Sequence, residues 1–389
     1  MTTKRKVPQI RFKGFIDEWD NKELTNYSSK IGDGLHGTPK YVSNTGIYFI
    51  NGNNLESGSI HITDETKEVS KEDSLKNDKQ LNSNTILMSI NGTIGNLAWY
   101  QNETIMLGKS VAYITLKNCY KLYMYCYLQS TKISKYFSNN LTGSTIKNLG
   151  LKTIRETEIS IPTEITEQKR IGNYFQQLDK LIEQKEKKYQ KLKQFKKAML
   201  DKMFPKNGAD TPEIRFKGFI GKWEEKKLGD IFNYERPDNY IVKSTEYSND
   251  NKTPVLTANK AFILGYTNEL NTFNKPSIIF DDFTLDFKFV DFPYMVKSSA
   301  LKILTINDEK KDSLIFIYNL LHTIKIEIMG HARHYIGVVQ PTNVFVPKIE
   351  EQIKIGSYFQ KLDNQIDLQQ KELEKLKNIK KASLAKMFV

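Results

Sequence analysis

Residues 32–37 read GDGLHG, a spacing that, on a turn from strand to helix, would lay backbone amides around a phosphate. Pro39 stands where that helix would begin, so no cofactor loop is expected here. GKS at 108–110 has the ending of a phosphate-binding loop, yet Glu103 occupies the place of its first glycine. Pro237, Asp238, Asp250 and Lys252 fit a loose nuclease spacing, but YSNDNKTP reads as a turn and not as a strand aiming both groups at one metal. His331 and His334 in GHARHYIG could share a helix face. Flanking glycines and the lack of a matched carboxylate favour a polar loop without metal. No two prolines are adjacent, which removes the Asn/Asp-Pro-Pro-aromatic loop of amino-methyltransferases. Independent catalysis is therefore not expected.

What remains is a set of basic, amide and hydroxyl side chains interleaved with aromatics on turn-rich segments. GDGLHGTPKY and NGNN supply His36, Thr38, Lys40, Tyr41, Asn51, Asn53 and Asn54, and TGSTIKN adds Thr145 and Lys147. Further along, TANKAF offers Asn259 and Lys260, MVKSSA offers Lys297 and Ser298, and GHARHY offers His331, Arg333, His334 and Tyr335. Lys and Arg bind phosphates or guanine edges, and Asn pairs bidentately with adenine, so these are the candidate DNA contacts. Charge agrees: 58 Lys and Arg against 45 Asp and Glu give the 389 residues a net charge of +13, which favours a polyanionic partner. The first ten residues are charged without an apolar run, and LIFIYNLL is too short to span a bilayer, so a soluble, cytoplasmic protein is expected. Cys119 and Cys126 have neither metal spacing nor a disulfide framework and are expected to pack in a core.

The elements that must position these residues come in two copies. PQIRFKGFIDEW from Pro8 returns as PEIRFKGFIGKW from Pro212, and eleven of seventeen positions agree between 8–24 and 212–228. EQKRIGNYFQQLDKLI from Glu167 returns as EQIKIGSYFQKLDNQI from Glu351, with about twenty of thirty-eight positions shared. Segments 25–160 and 229–346 do not align. In the first matched stretch Ile171, Phe175, Leu178, Ile182, Tyr189, Leu192, Phe195, Met199 and Met203 recur at spacings of three and four, a coiled-coil seam. Ile355, Phe359, Leu362, Ile366, Leu373, Leu376, Ile379 and Leu384 repeat it. Two long antiparallel helices burying each other's seam are expected, with the chain termini as neighbours and a variable body at each end. Arg11, Phe12, Phe15 and Trp19, with Arg215, Phe216, Phe219 and Trp223, are assigned to structure. Strands are expected in GIYFINGNN, TILMSING, SVAYITL, PSIIFDD, KFVDF and SALKILTI, and short helices near 120–137 and 312–328.

Two unlike bodies, each introduced by the IRFKGF phrase and left through EQKRIGNYFQQLD or EQIKIGSYFQKLD, resemble the specificity subunit of type I restriction-modification systems; GDGLHGTPKY…NGNNL also resembles an opening of that family's target recognition domains. The resemblance implies a mixed α/β (α+β) fold with two target recognition domains, 1–162 and 205–347, joined by two conserved helices, 163–204 and 348–389, in pseudo-two-fold symmetry. It implies that each domain reads half of a split double-stranded DNA site. It implies helices that dock two modification (methyltransferase) subunits and, through them, two restriction (motor and nuclease) subunits. S-adenosylmethionine, ATP and Mg²⁺ would then belong to those partners, with no cofactor in this chain and no membrane association.

Overall fold

The computed structural model describes residues 7–206, 208–257, 261–325 and 334–389. The chain divides into two compact units, one of 1–185 with 372–389 and the other of 186–371. Each unit holds a body and part of both long helices.

In the first unit four antiparallel strands run in the order Ser28–Asp33, Val111–Leu116, Thr85–Ser89, Leu97–Trp99. The two central strands are buried along their whole length, which is why their sequences show apolar runs in place of alternation. Successive side chains still point to opposite faces. Ile86, Met88, Ala112 and Ile114 enter the core shared with Tyr123, Tyr127, Ile171, Phe175 and Phe388. Leu87, Val111 and Tyr113 face a second cluster with Ile50, Leu55 and Leu107. Those last residues come from or adjoin a parallel pair, Tyr48–Ile50 with Ile105–Leu107.

The second unit repeats this plan without sequence similarity in the body. Its sheet runs Phe232–Glu235, Leu301–Ile306, Ser277–Asp281, Phe287–Val290, again antiparallel throughout. Ile278, Phe280 and Leu304 face the core with Phe316 and Phe359, while Ile279, Leu301 and Ile303 face a separate cluster. A parallel pair recurs as Thr253–Leu256 with Met295–Val296. The expected strands are present; helices Lys121–Leu128 and Thr131–Asn139 occupy the first expected helical stretch, and Leu314–Leu321 lies within the second, whose end at 326–328 is outside the described residues.

The long helices are Ile165–Met203 and Ile349–Lys386, 39 and 38 residues, or about 57 Å each. Within the first unit their parts run antiparallel: Tyr174 meets Ser383, Asp179 pairs with Lys380, and Lys185 pairs with Glu372. The second unit does the same through Tyr189 with Gln370 and Lys196 with Asp363. Ile171, Phe175, Leu178, Ile355, Phe359, Leu362 and Leu373 are buried, and Ile182, Leu192, Ile366 and Leu376 are half-buried. Phe195 and Ile379 depart from the expected seam, being 47% and 39% exposed. The next residues, Lys196 and Lys380, take the inward place because each finds an aspartate across the pair.

The repeated opening phrase closes each unit by the same contacts. Arg11 clasps buried Glu167 with two hydrogen bonds of 2.7 and 2.8 Å, and Arg215 clasps Glu351 with two of 2.7 Å. Phe12 meets Tyr174 edge-on, as Phe216 meets Tyr358. Trp19 and Trp223 are buried. The amide of Ile10 donates to the carbonyl of Lys386 at 3.0 Å, so the two ends of the chain meet; the amide of Ile214 donates to Lys202 at 2.9 Å. Cys126 is buried in the first core with Cys119 packed beside it, and burial pushes both thiols up. Among the described residues no helix is long and apolar enough to cross a membrane.

Candidate nucleic-acid interface

In the first unit the register puts the C-terminal ends of strands Ser28–Asp33 and Thr85–Ser89 at one end of the sheet, where Val111–Leu116 begins. The loops leaving that end are hydrogen-bonded to one another. The amide of Leu35 donates to Leu107 at 2.7 Å, joining the His36 loop to the 108–110 turn. The amide of Gly52 donates to Ser110 Oγ at 2.8 Å, and that hydroxyl donates to Asn51 Oδ1 at 3.0 Å. Thr93 Oγ1 donates to the carbonyl of Gly52 at 3.1 Å, and the amides of Ile90 and Leu149 close the chain to Ser110 and Ile90, each at 2.9 Å. Gly108 permits the approach, since a Cβ there would lie 2.3 Å from Asn51 Oδ1.

His36, Thr38, Asn51, Asn53, Asn54, Thr145 and Lys147 lie on these linked loops, but not in one role, while Lys40 is held by its backbone against Ser70 and Asp73. Thr38, Lys40, Asn53, Thr145 and Lys147 are exposed, with side chains directed to solvent. His36 is exposed and its Nε2 lies 2.7 Å from Asp33 Oδ2. Tyr41 packs edge-on against Phe49 beneath Lys67. Asn51 and Asn54 make the turn itself: Asn54 Oδ1 accepts from the amide of Asn51 at 2.9 Å, and its Nδ2 donates to His61 at 3.0 Å. Asn51 Oδ1 is thereby engaged within the turn's own hydrogen bonds. Behind the Tyr41 loop, Glu68 accepts from the amides of Gly46 and Thr45, and the Gly46 bond above all holds its carboxyl below the usual range.

The equivalent end of the second unit is built on Asp281 and Asp282. Asp281 accepts from the amide of Phe283 at 3.0 Å and from Thr284 Oγ1 at 2.6 Å, fixing the hairpin tip. Asp282 accepts from the amide of Tyr335 at 2.7 Å, lies 3.6 Å from Lys302 Nζ, and receives His334 Nδ1 on its carbonyl at 2.8 Å. His334 and Tyr335 are thus not the exposed loop residues the sequence leads one to expect. His334 is buried, and Tyr335 is wholly buried, with its ring between Tyr234 and Phe280, because 335–339 form a π-helical turn and not a polar loop. Lys297 is half-buried, with Nζ donating to Tyr247 at 3.0 Å, and Ser298 is exposed. Asn259, Lys260, His331 and Arg333 lie outside the described residues.

Sequence reasoning missed part of the surface. Lys109, within the discarded GKS pattern, is exposed at the centre of the first cluster without a partner among the described residues. The NGTIGN turn, residues 91–96, links it to the 142–148 loop through the Asn91–Asn148 bridge. Two apolar tips are exposed, Ile146 in this loop at 72% and, in the second unit, Phe283 at the Asp281 hairpin tip at 74%. The signal available was the Asn91-Gly92 pair one residue after the TILMS strand, which marks a turn at its C-terminal end.

The family described as Type I restriction modification DNA specificity domain matches residues 17–194 and 220–378. The chain is 42% identical over 126 residues to the type I restriction enzyme EcoR124I/EcoR124II specificity subunit of Escherichia coli, covering 31% of each. It is 25% identical over 282 residues to the putative type I restriction enzyme MjaX specificity subunit of Methanocaldococcus jannaschii, covering 67% of this chain and 65% of that one. These matches span less than two thirds of either relative. A crystal structure of the S subunit of a type I restriction-modification system from M. genitalium shares the fold, with a TM-score of 0.69, 18% identity, and 98% and 99% of the two chains covered. With the family matched over both bodies and both long helices, the chain belongs to the type I restriction-modification DNA specificity family.

Proposed function

We propose that this protein is the DNA-reading subunit of a type I restriction-modification complex, with each body recognising one half of a bipartite site. One observation carries this: two bodies that do not align in sequence have the same strand order and present different loops at the same end of the sheet. A frame held constant while its loops differ suits a reader of two unrelated half-sites. The exposed Lys40, Lys109 and Lys147 provide phosphate contacts, and Thr38, Asn53, Thr145 and Ser298 provide groups for base edges. The chain's own role is recognition. The methyl donor S-adenosylmethionine is held by two modification subunits, which methylate adenine after flipping it from the duplex. ATP and Mg²⁺ serve two restriction subunits. Phe195 and Ile379, exposed at one repeat position on the long helices, are natural contacts for the modification subunits.

The test exchanges residues 25–160 for the corresponding domain of another family member and reads the methylated site by methylome sequencing. One half of the site should change while the other stays. A change in both halves, or sequence-specific methylation by the purified chain alone, would overturn the reading.

A further inference from the structure

Each body is tied to a long helix by one glutamine at the same repeat position. Gln168 is 5% exposed and Gln352 is wholly buried. Gln168 Oε1 accepts from the amide of Tyr120, the residue that opens helix Lys121–Leu128, at 2.9 Å, and its Nε2 donates to the carbonyl of Pro162 at 2.8 Å. Gln352 Oε1 accepts from the amide of Ser313, which opens helix Leu314–Leu321, at 2.9 Å. Its Nε2 donates to the carbonyls of Pro347 at 2.9 Å and Lys311 at 3.0 Å. One turn along, Gly172 and Gly356 let the same two body helices come close. A Cβ on Gly172 would lie 2.8 Å from the amide nitrogen of Tyr123, and one on Gly356 would lie 3.2 Å from that of Phe316.

The bodies do not align in sequence, yet both are held in this way. The bond permits it, because a backbone amide is present whatever side chains a body carries. Rings complete each joint: Trp19 meets Tyr123 edge-on at 5.9 Å, and Trp223 meets Phe316 at 5.7 Å. Apolar burial has no direction, whereas a hydrogen bond weakens steeply out of line, so the glutamines fix an angle that the rings leave free. That angle matters at the reading loops. Val111–Leu116 and Leu301–Ile306, six residues each, run from the loop end of each sheet towards the two body helices, which puts the loops roughly 20 Å from the joint. A rotation of about 10° at the joint moves them by about 3.5 Å, the rise of one base-pair step.

We propose that Gln168 and Gln352 are positioning residues for DNA reading, each fixing how its own body presents its loops and thereby the discrimination at one half-site. This rests on the function proposed above. The experiment assembles the full chain with its modification subunit and measures methylation of the matched site and of duplexes carrying one mismatch in either half. Gln168→Met keeps the side-chain length and removes both hydrogen bonds. It should lower discrimination in one half about tenfold, the scale of one lost base contact, and leave the other half unchanged. Gln352→Met should do the reverse. A purely structural role would reduce the amount of active complex, and with it methylation of every duplex alike, without moving either ratio. Gly172→Ala presses on the body helix and leaves the glutamine in place; it should lower the same ratio as Gln168→Met, and by more than Gly356→Ala lowers the other. Where a Met variant yields no folded chain, its Ala counterpart decides by the same criterion. Unchanged ratios in the folded variants, or equal loss in both halves, would overturn the positioning role and leave the proposed function standing. A wild-type complex that methylates matched and mismatched duplexes alike would overturn both.

Discussion

Lys109 and Lys147 are exposed cations on the loops of the first cluster, so their contribution to DNA binding should be electrostatic and blind to sequence. Replacing either by Ala in the assembled complex should weaken binding to all sequences alike. The slope of log affinity against log salt should fall by roughly 0.9 for each phosphate that is no longer neutralised. An unchanged slope would place that lysine away from the backbone. Glu68 makes a different prediction, because amide hydrogen bonds from Gly46 and Thr45 hold its carboxyl below its unfolded value. Such a group stabilises its loop above the unfolded value, and the contribution is lost as pH falls through the lower folded one. The NMR shift of the Gly46 amide should therefore move on acidification at a pH below the ordinary glutamate range, and Glu68→Gln should remove that transition.

At the scale of elements, the two units use the same pair of rings to hold long helix to long helix. Phe175 stacks on Phe388 at 5.6 Å in the first, and Phe359 lies against Phe204 at 5.8 Å in the second. All four are buried, so Phe175→Ala or Phe359→Ala should cost about 3–5 kcal/mol, read by urea unfolding. The clasp of Arg11 on Glu167 gives a companion test. Glu167 has 2% of its side chain exposed, and Glu167→Ala leaves a half-buried guanidinium without its carboxylate, a change expected to cost about 3 kcal/mol. Glu351→Ala should behave alike through Arg215. A loss below about 0.5 kcal/mol in either would show that water replaces the carboxylate without penalty.

At the scale of the molecule, the amide of Ile10 bonded to Lys386 and Phe388 packed into the first core make the chain ends part of one structure. The link 203–212 is the equivalent place in the second unit, where Ile214 bonds to Lys202. Closing the ends with a short linker and opening the chain beside Gly208 should therefore exchange one connection for the other. The permutant should keep its thermal midpoint. An insoluble permutant, alongside a soluble chain carrying the linker alone, would count against the equivalence of the two joints.

What the sequence determined by itself is whatever repeats locally. Helix period is a property of neighbouring residues, so the long helices and most of their seam are legible from spacing, and the doubled opening phrase announces two equivalent joints. Where the seam admits Lys196 and Lys380 in place of Phe195 and Ile379, the aspartates that decide it are distant in sequence, and spacing could not reveal them. Sheet order was invisible for the same reason. Strands such as TILMS and VAYITL are covered on both faces, so alternation is lost, and only their pairing partners fix the order common to both bodies. Loop chemistry was half legible: turn-forming Asn and Gly mark where the loops lie, while packing decides which side chains they show. Asn51 and Asn54 turned back into their own loop, His334 and Tyr335 went into the core around Asp282, and Lys109 came out to solvent, because each follows from contacts made only when the chain has folded.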